Sequence, residues 1–248
     1  MPEKDEHGFP TQQASTDAQF DLQLNQLVSE SDPDIVRTAP FLFLDRRLLA
    51  QALARIKLYE FSKNVLGDIV ECGSFRGNGL ALYYNLITIF EPFSINKKII
   101  SFDTFRGFPS VDDEKDPAFA EPGQMSNTSL NLIQNALSIH DLVRPVNHVP
   151  RVQFVQGDAC QTIPEFCQSN AHQVISLLYI DFDLYEPCKV ALENLLPRVP
   201  KGGVVAFDEL AQKKWAGETQ ALKDFFPNFN DIPLQRFSFE PHISYYFA

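Results

Sequence analysis

The hydrophobic and polar positions of this 248-residue chain follow two kinds of pattern. Short apolar runs rich in β-branched residues are typical of buried strands. Such runs predict strands at residues 69–72, 98–102, 152–155, 174–180, 204–207, 234–239 and 244–247. Apolar residues spaced three and four apart predict helices at about 20–28, 45–66, 80–90, 127–137 and 186–195. The alternation of strands and helices from residue 68 predicts a Rossmann-like α/β fold. We expect a mostly parallel seven-stranded sheet with helices on both faces and a C-terminal antiparallel hairpin.

The N-terminal region has a different composition from the rest. Residues 1 to about 18 are polar, and this composition predicts disorder. We therefore divide the chain into an N-terminal tail with a lid or oligomerisation segment at 1–44, and one α/β domain at 45–248. A homo-oligomer formed through the N-terminal helix is one possibility that this division leaves open.

Composition and charge narrow the classes of partner. Apolar residues make up 44% of the chain, which is enough for a sizeable core. A net charge of −11 disfavours nucleic acid as a partner, since a polyanion is repelled by an acidic surface. The sequence shows neither a signal peptide nor an apolar run long enough to span a membrane. The four cysteines lack metal-binding spacing, so we expect inert thiols and a cytoplasmic protein.

The first predicted strand is followed by a glycine-rich turn at residues 73–79. Its glycines are spaced GxxxGxG, which is neither the dinucleotide fingerprint nor a phosphate-binding loop. By itself the turn is compatible with a nucleotide-like ligand and also with simple packing. Asp103 and Asp158 follow the second and third strands, where they are placed either to accept hydrogen bonds from a ribose and a purine amine or to cap turns and helices.

Four carboxylates follow the fourth and fifth strands. Asp181 and Asp183 come directly after residues 174–180, and Asp208 and Glu209 come directly after residues 204–207. Sequential strands are usually neighbours, so these side chains are expected at one edge of the sheet. Such an all-oxygen set suits Mg²⁺ or another hard divalent cation. Asp183 lies past the end of the strand, where it is free to act as a general base. In the alternative interpretation, Asp208 and Glu209 cap the next segment and face water.

Four segments resemble the macrocin O-methyltransferase family of class I S-adenosylmethionine-dependent methyltransferases. They are residues 67–77, 101–109, 180–186 and 202–209, with the sequences GDIVECGSFRG, SFDTFRGFP, IDFDLYE and GGVVAFDE. The resemblance implies an enzyme that methylates a hydroxyl of a sugar or a related natural product. A cation that grips two neighbouring acceptor oxygens favours vicinal diols or catechol-like groups.

The resemblance also implies roles for individual residues. Glu71 and Gly73 would line the methionine half of the cofactor, Asp103 would hold its ribose and Asp158 would contact adenine. Asp183 would be the catalytic base. The full expected cofactor site comprises Glu71, Gly73, Ser74, Gly77, Asp103, Thr104, Asp158, Ala159 and Asp181. The expected Mg²⁺ ligands are Asp181, Asp208 and Glu209.

Two positions depart from the family pattern. The pair Asp208-Glu209 replaces the usual Asp-Asp, and Phe182 replaces a small residue, which we expect to reshape the acceptor pocket. Two competing functions are considered. One is a nicotinamide-dependent dehydrogenase, but this chain lacks the glycine motif of that class, and the other is a non-catalytic cofactor-binding or assembly protein. The long segment at 106–125 is interpreted as a lid or as an inert insertion, and Trp215 as part of a substrate wall or of the core.

Overall fold

The computed structural model describes residues 14–248, which form two compact units that divide between Ala50 and Gln51. The first unit contains helix α1 (Ala14–Glu30), helix α2 (Pro33–Thr38) and the start of helix α3 (Arg46–Ser62). Asp32 caps α2 by accepting the backbone N–H of Asp34 at 2.8 Å. The prediction of disorder as far as residue 18 is wrong from Ala14 onward, since α1 begins there. Residues 1–13, which belong both to the stretch predicted to be disordered and to the predicted 1–44 segment, lie outside the described residues.

The second unit alternates strands and helices around one sheet. Its further helices are α4 (Asn78–Phe90), α5 (Leu130–Asp141), α6 (Ala159–Ser169), α7 (Tyr185–Asn194) and α8 (Gly217–Phe225). Its strands are β1 (Asp68–Cys72), β2 (Ile99–Asp103), β3 (Val152–Gln156), β4 (Ile175–Ile180), β5 (Val204–Phe207), β6 (Gln235–Arg236) and β7 (Ser244–Phe247). The strand order is β3-β2-β1-β4-β5-β7-β6. Strands β1 to β5 are parallel, and β7 runs antiparallel to both β5 and β6. The predicted fold class is confirmed.

Each face of the sheet is covered by its own hydrophobic cluster. Because side chains alternate along a strand, Leu178 and Ile180 of β4 pack into the cluster formed with α6, α7 and α8. Leu177 and Tyr179 pack into the cluster formed with α3, α4 and α5. Burial on both faces explains why these strands read as continuous apolar runs rather than as alternating ones.

Several local expectations differ from the structure: α2 and α8 were not predicted, and α1 extends beyond the predicted residues 20–28. Helix α6 was not predicted because Pro164 interrupts its pattern; Pro164 lies inside the helix, where it removes one backbone donor. Strand β6 is shorter than predicted because Phe237 and Phe239 stack by their rings instead of extending the ladder. Leu53 is one of the apolar residues whose spacing predicts α3, yet its side chain is 45% exposed, whereas its neighbour Ala54 is fully buried.

The strand order reverses between β1 and β4, which are neighbours in the sheet. In open parallel sheets, ligands bind beyond the carboxyl ends of the strands at such a switch point. The segments that follow β1, β2, β4 and β5 therefore lie where a ligand is expected to bind. None of the helices in the described part of the chain is long and apolar enough to cross a membrane.

Candidate active site

The glycine-rich turn after β1 lies directly against the end of β4. Gly73 adopts a φ of +87°, and a Cβ built on it would lie 1.8 Å from the carbonyl oxygen of Asp181. No other residue tolerates both this conformation and this close approach. Gly73 donates its N–H to the carbonyl of Phe102 at 2.8 Å, while Asp181 donates to the carbonyl of Cys72 at 2.8 Å. The turn therefore ties together the ends of three neighbouring strands.

Glu71 is a buried carboxylate at the end of β1, and its side chain is only 1% exposed. One of its oxygens accepts from the Ser74 hydroxyl at 3.1 Å, and Ser74 shares a 2.7 Å hydrogen bond with Ser101. Burial raises the pKa of Glu71, although a nearby arginine opposes this shift. Glu71 and Ser74, both expected at the cofactor, are thus in direct contact with each other.

Asp103 connects the turns that follow β1 and β2. Its two oxygens accept the backbone N–H groups of Phe75 at 2.8 Å and Phe105 at 2.6 Å. Both of these phenylalanines have positive φ, which their bonds to one carboxylate help to maintain. Burial raises the pKa of Asp103 above its usual range. The turn role and the ribose role are compatible, since each carboxylate oxygen keeps a second lone pair.

A cavity of about 400 Å³ lies beyond the ends of β2 and β3. Its lining is Thr104, Arg106, Gly107, Pro109, Gln156, Gly157 and Asp158. Asp158 also caps α6 by accepting the N–H of Cys160 at 2.9 Å, while Ala159 is buried at the start of that helix. The structure thus brings together Thr104 and Asp158, two expected cofactor residues, in the lining of this cavity. Gly77, by contrast, is the residue before α4 and packs against Ile133.

The predicted metal ligands follow two paired strands. Ile180 of β4 is in register with Phe207 of β5, and Asp208 donates its N–H to the carbonyl of Ile180 at 3.1 Å. Asp181 and Asp208 therefore begin at the same edge of the sheet. Burial, and then the charge of Asp208, raise the pKa of Asp181 well above its usual range. Asp208 itself accepts a hydrogen bond from the Tyr179 hydroxyl.

Asp183 has the left-handed backbone conformation, with a φ of +61°. Asp tolerates this region better than most residues do, but it is still a strained position for a non-glycine residue. Burial, and then the charge of Asp208, raise the pKa of Asp183 to about 7. A carboxylate poised near neutral pH suits a general base.

The hydrogen-bonding groups of Glu209 are only partly satisfied. Its backbone N–H donates to the Glu218 carboxylate at 3.2 Å, whereas its own Oε2 is buried and accepts no hydrogen bond from the described residues. Burial, and then the charge of Asp183, raise the pKa of Glu209 to about 8. A buried oxygen without a donor is costly, so Glu209 lies where an additional positive partner would lower its energy.

These carboxylates fit a divalent cation in donor chemistry but not as a finished cage. All their donors are oxygens, which suits Mg²⁺. Within residues 14–248, however, no three His, Cys, Asp or Glu side chains are placed so that they hold one metal ion together. The metal site predicted at Asp181, Asp208 and Glu209 therefore stays a prediction.

The long segment after β2 packs against the residues that follow β4 and β5. Asp116 accepts the backbone N–H of Tyr185, two residues beyond Asp183, at 2.7 Å. The rings of Phe108 and Phe119 meet Trp215 edge to face, with centroids 6.1 and 4.9 Å apart. These contacts favour a covering role over an inert insertion and explain the burial of Trp215. Phe182, in contrast, packs against the core cluster of α6, α7 and α8, which gives no support to its expected role at the acceptor.

Two charged residues of this region escaped the sequence analysis. Glu218 is fully buried, and its carboxylate accepts the backbone N–H of Glu209. Arg55 contacts both Glu71 at 2.6 Å and Asp181 at 3.3 Å. Nothing in the sequence singles out Arg55, because it is one of several charged residues in a helix that was predicted from its apolar spacing.

Solved structures of similar proteins align with nearly the whole chain. The calicheamicin methyltransferase CalS11 is 30% identical, with a TM-score of 0.85 over 96% of this chain and 93% of that one. A second structure of it, named as a TDP-rhamnose 3'-O-methyltransferase, is 30% identical and has a TM-score of 0.79 over 96% of this chain and 95% of that one.

A curated relative matches over a shorter stretch. Demethyldecarbamoylnovobiocin O-methyltransferase of Streptomyces niveus is 27% identical over 150 residues, which cover 59% of this chain and 53% of the relative. The chain spans about half the length of the curated relatives it matches.

A family model agrees with these likenesses and with the four segments of the sequence that resemble the family. The model of macrocin-O-methyltransferase (TylF) matches residues 34–234, which include the sheet from β1 to β5 and every carboxylate of the candidate active site. The chain belongs to the macrocin-O-methyltransferase family.

Proposed function

We propose that this chain is an S-adenosylmethionine-dependent O-methyltransferase that acts, with a divalent cation, on a hydroxyl of a small sugar-containing molecule. The observation that carries the proposal is the placement of Asp181, Asp183, Asp208 and Glu209 beside the glycine-rich turn, with Gly73 against the Asp181 carbonyl. A cofactor turn and a cluster of carboxylates then face the same edge of the sheet.

Residues after β1, β2 and β3 bind the cofactor in this proposal. S-adenosylmethionine supplies an activated methyl group when it is bound. Glu71 and Gly73 line its methionine half, Asp103 accepts from its ribose, and Asp158 contacts its adenine at the 400 Å³ cavity. Ser74, Gly77, Thr104, Ala159 and the backbone of Asp181 complete the set. The residues thus hold one reactant in a fixed orientation, which removes much of the entropic part of the barrier.

Residues after β4 and β5 orient and deprotonate the acceptor. Asp183 takes the proton of the reacting hydroxyl, for which its raised pKa near neutrality is suited. Asp181, Asp208 and Glu209 would hold Mg²⁺, which would supply positive charge that lowers the pKa of the acceptor hydroxyl. The buried Oε2 of Glu209, which has no donor among the described residues, supports its inclusion.

The acceptor in this proposal carries two neighbouring oxygens. A divalent cation held by carboxylates favours vicinal diols, and the name of CalS11 as a TDP-rhamnose 3'-O-methyltransferase supports a sugar. The net charge of −11 supports a small molecule rather than nucleic acid as substrate. Residues 45–248 form the catalytic domain in this scheme, with the preceding segment serving as lid or oligomerisation element in a cytoplasmic enzyme.

A labelled-methyl assay tests the proposal. The protein is incubated with methyl-labelled S-adenosylmethionine and Mg²⁺, and with TDP-rhamnose, free sugars that carry vicinal diols, and catechols. We expect transfer to a vicinal diol, loss of transfer in EDTA, and no transfer to matched deoxysugars that lack the neighbouring hydroxyl. Absence of transfer to every acceptor, with the cofactor bound, would favour a non-catalytic cofactor-binding protein instead.

A further inference from the structure

Arg55 is a buried cation that bridges the two halves of the candidate active site. Its side chain is 11% exposed and projects from α3. Nη1 donates to Glu71 at 2.6 Å, and Nη2 donates to Asp181 at 3.3 Å. One guanidinium therefore joins the carboxylate expected at the cofactor to the first carboxylate expected at the metal.

The surroundings of Arg55 keep its guanidinium in place. The group lies 3.7 Å from the ring centroid of Tyr179, which is the residue paired with Glu71 across β1 and β4. Desolvated cation–π contacts of this kind add to the ion pairs. A Cβ on Gly79 would lie 2.1 Å from Glu71 Oε1 and 2.2 Å from Arg55 Nη1. The last glycine of the turn thus leaves room for this ion pair.

The two ion pairs of Arg55 differ in strength. The bond to Glu71 is short, and that carboxylate is 1% exposed, so exchange with solvent is hindered. The bond to Asp181 is longer, and that side chain is 24% exposed. A competing cation therefore displaces the Arg55 guanidinium from Asp181 before it displaces it from Glu71.

Tyr179 couples Arg55 to the second expected metal ligand as well. Its ring lies under the guanidinium, while its hydroxyl donates to Asp208. The guanidinium of Arg55 and the ring of Tyr179 form one stack, in which Arg55 binds Asp181 and Tyr179 binds Asp208. These contacts draw both carboxylates towards α3.

We propose that Arg55 is a positioning residue that fixes Glu71 for the cofactor and competes with the divalent cation for Asp181. This inference rests on the proposed function. Arg55 balances the charges of Glu71 and Asp181 when Asp181 is not engaged elsewhere. Its positive charge also opposes a second cation nearby, which keeps the metal exchangeable.

Three variants separate this role from simple packing. Arg55→Met keeps the apolar stem but removes the charge, and Arg55→Lys keeps the charge but loses the fork that spans both carboxylates. Lys57→Met is the matched control: it removes a charge from the same helix at a site where the side chain is 52% exposed. Binding of Mn²⁺, a spectroscopic probe for Mg²⁺, is followed by electron paramagnetic resonance at alkaline pH, where the carboxylates are ionised. The melting temperature in EDTA and the calorimetric affinity for S-adenosylmethionine are measured on the same samples.

We expect Arg55→Met to melt at a lower temperature in EDTA and yet to bind Mn²⁺ about tenfold more tightly than the wild type. Arg55→Lys, which stays with Glu71 and releases Asp181, shows a smaller gain in Mn²⁺ affinity, and this variant decides the matter if Arg55→Met does not fold. Both variants bind S-adenosylmethionine more weakly, because Arg55→Met removes the ion pair that holds Glu71 and Arg55→Lys replaces the planar guanidinium by a less directional partner. Lys57→Met matches the wild type in all three measurements.

The outcomes distinguish this inference from the function on which it rests. Wild-type protein that binds Mn²⁺, together with Arg55 variants of equal or lower Mn²⁺ affinity, overturns the role of Arg55 and leaves the proposed function standing. Wild-type protein that binds no Mn²⁺ overturns both the cation site and the competition for it, whatever the labelled-methyl assay shows.

Discussion

Gly217 packs against the backbone of Asp183. A Cβ built on Gly217 would lie 2.8 Å from the Asp183 carbonyl oxygen and 2.6 Å from the backbone nitrogen of Tyr185. Helix α8 thus begins in direct contact with the loop in which Asp183 adopts its left-handed conformation. This close approach fixes the position of the proposed base through the main chain rather than through its side chain.

The first prediction concerns Gly217→Ala. Gly217 has no positive φ, and alanine at an unhindered helical position would stabilise the protein. Here we expect the opposite, a loss of about 1–3 kcal/mol in the free energy of unfolding, because the new methyl group must displace backbone atoms. We also expect turnover to fall while affinity for S-adenosylmethionine stays the same. Denaturant unfolding and steady-state kinetics check this, with the exposed Lys223→Ala on the same helix as control. A stabilised variant with normal turnover would show that the contact does not position Asp183.

The second prediction concerns Asp183→Asn. Asparagine tolerates the left-handed conformation about as well as aspartate does, so the loop keeps its shape. Removal of the base should lower kcat by about 10²- to 10⁴-fold. Calorimetry should find unchanged affinity for the cofactor, because Asp183 is not among the residues proposed to bind it. Full activity of this variant would remove Asp183 from the base role.

The third prediction concerns Glu209, the departure from the Asp-Asp pattern of the family. Glu209→Gln removes one of several mutually repelling buried carboxylates, so we expect a higher melting temperature in EDTA. Mg²⁺ should raise the melting temperature of Glu209→Gln less than that of the wild type, because the folded variant binds Mg²⁺ less tightly.

A second variant completes this test. Glu209→Asp retains the charge and should keep most of the Mg²⁺-induced increase. Scanning fluorimetry with and without Mg²⁺ measures both variants. An unchanged increase in Glu209→Gln would exclude Glu209 as a ligand.

The fourth prediction concerns the segment that follows β2. Asp116→Ala removes the acceptor of the Tyr185 N–H, which should loosen the contact between this segment and the loop of Asp183. Hydrogen exchange at Tyr185 should become faster and the KM for the acceptor should rise, with little change in cofactor affinity. Asp113→Ala, an exposed acidic residue of the same segment, is the matched control. Equal exchange in the two variants would mean that Asp116 does not anchor the segment.

The strands and their order followed from local pattern because buried parallel strands leave a strong apolar signal. Ile175–Ile180 and Val204–Phe207 are each bounded by a polar residue at the carboxyl end, so both the strand and its functional edge were visible. Helix α6 was missed since Pro164 hides a helix that tertiary packing through Ile163 and Phe166 supports.

Contacts between distant positions were not visible in the sequence. Arg55 and Asp181 are 126 residues apart, and they meet because α3 packs on the sheet in which β1 pairs with β4. The same holds for Gly217, whose role depends on a backbone contact with a loop that precedes another helix. Pattern analysis finds which side chains can do chemistry, whereas the groups that position them require the fold.

Titration calorimetry with S-adenosylmethionine tests the central claim most directly, because every proposed role assumes that this cofactor binds beyond β1, β2 and β3. The account predicts binding of the cofactor to wild-type protein, and loss of that binding in Asp103→Leu, whose side chain can accept no hydrogen bond from the ribose. Absence of binding to folded wild-type protein, with and without Mg²⁺, would contradict it.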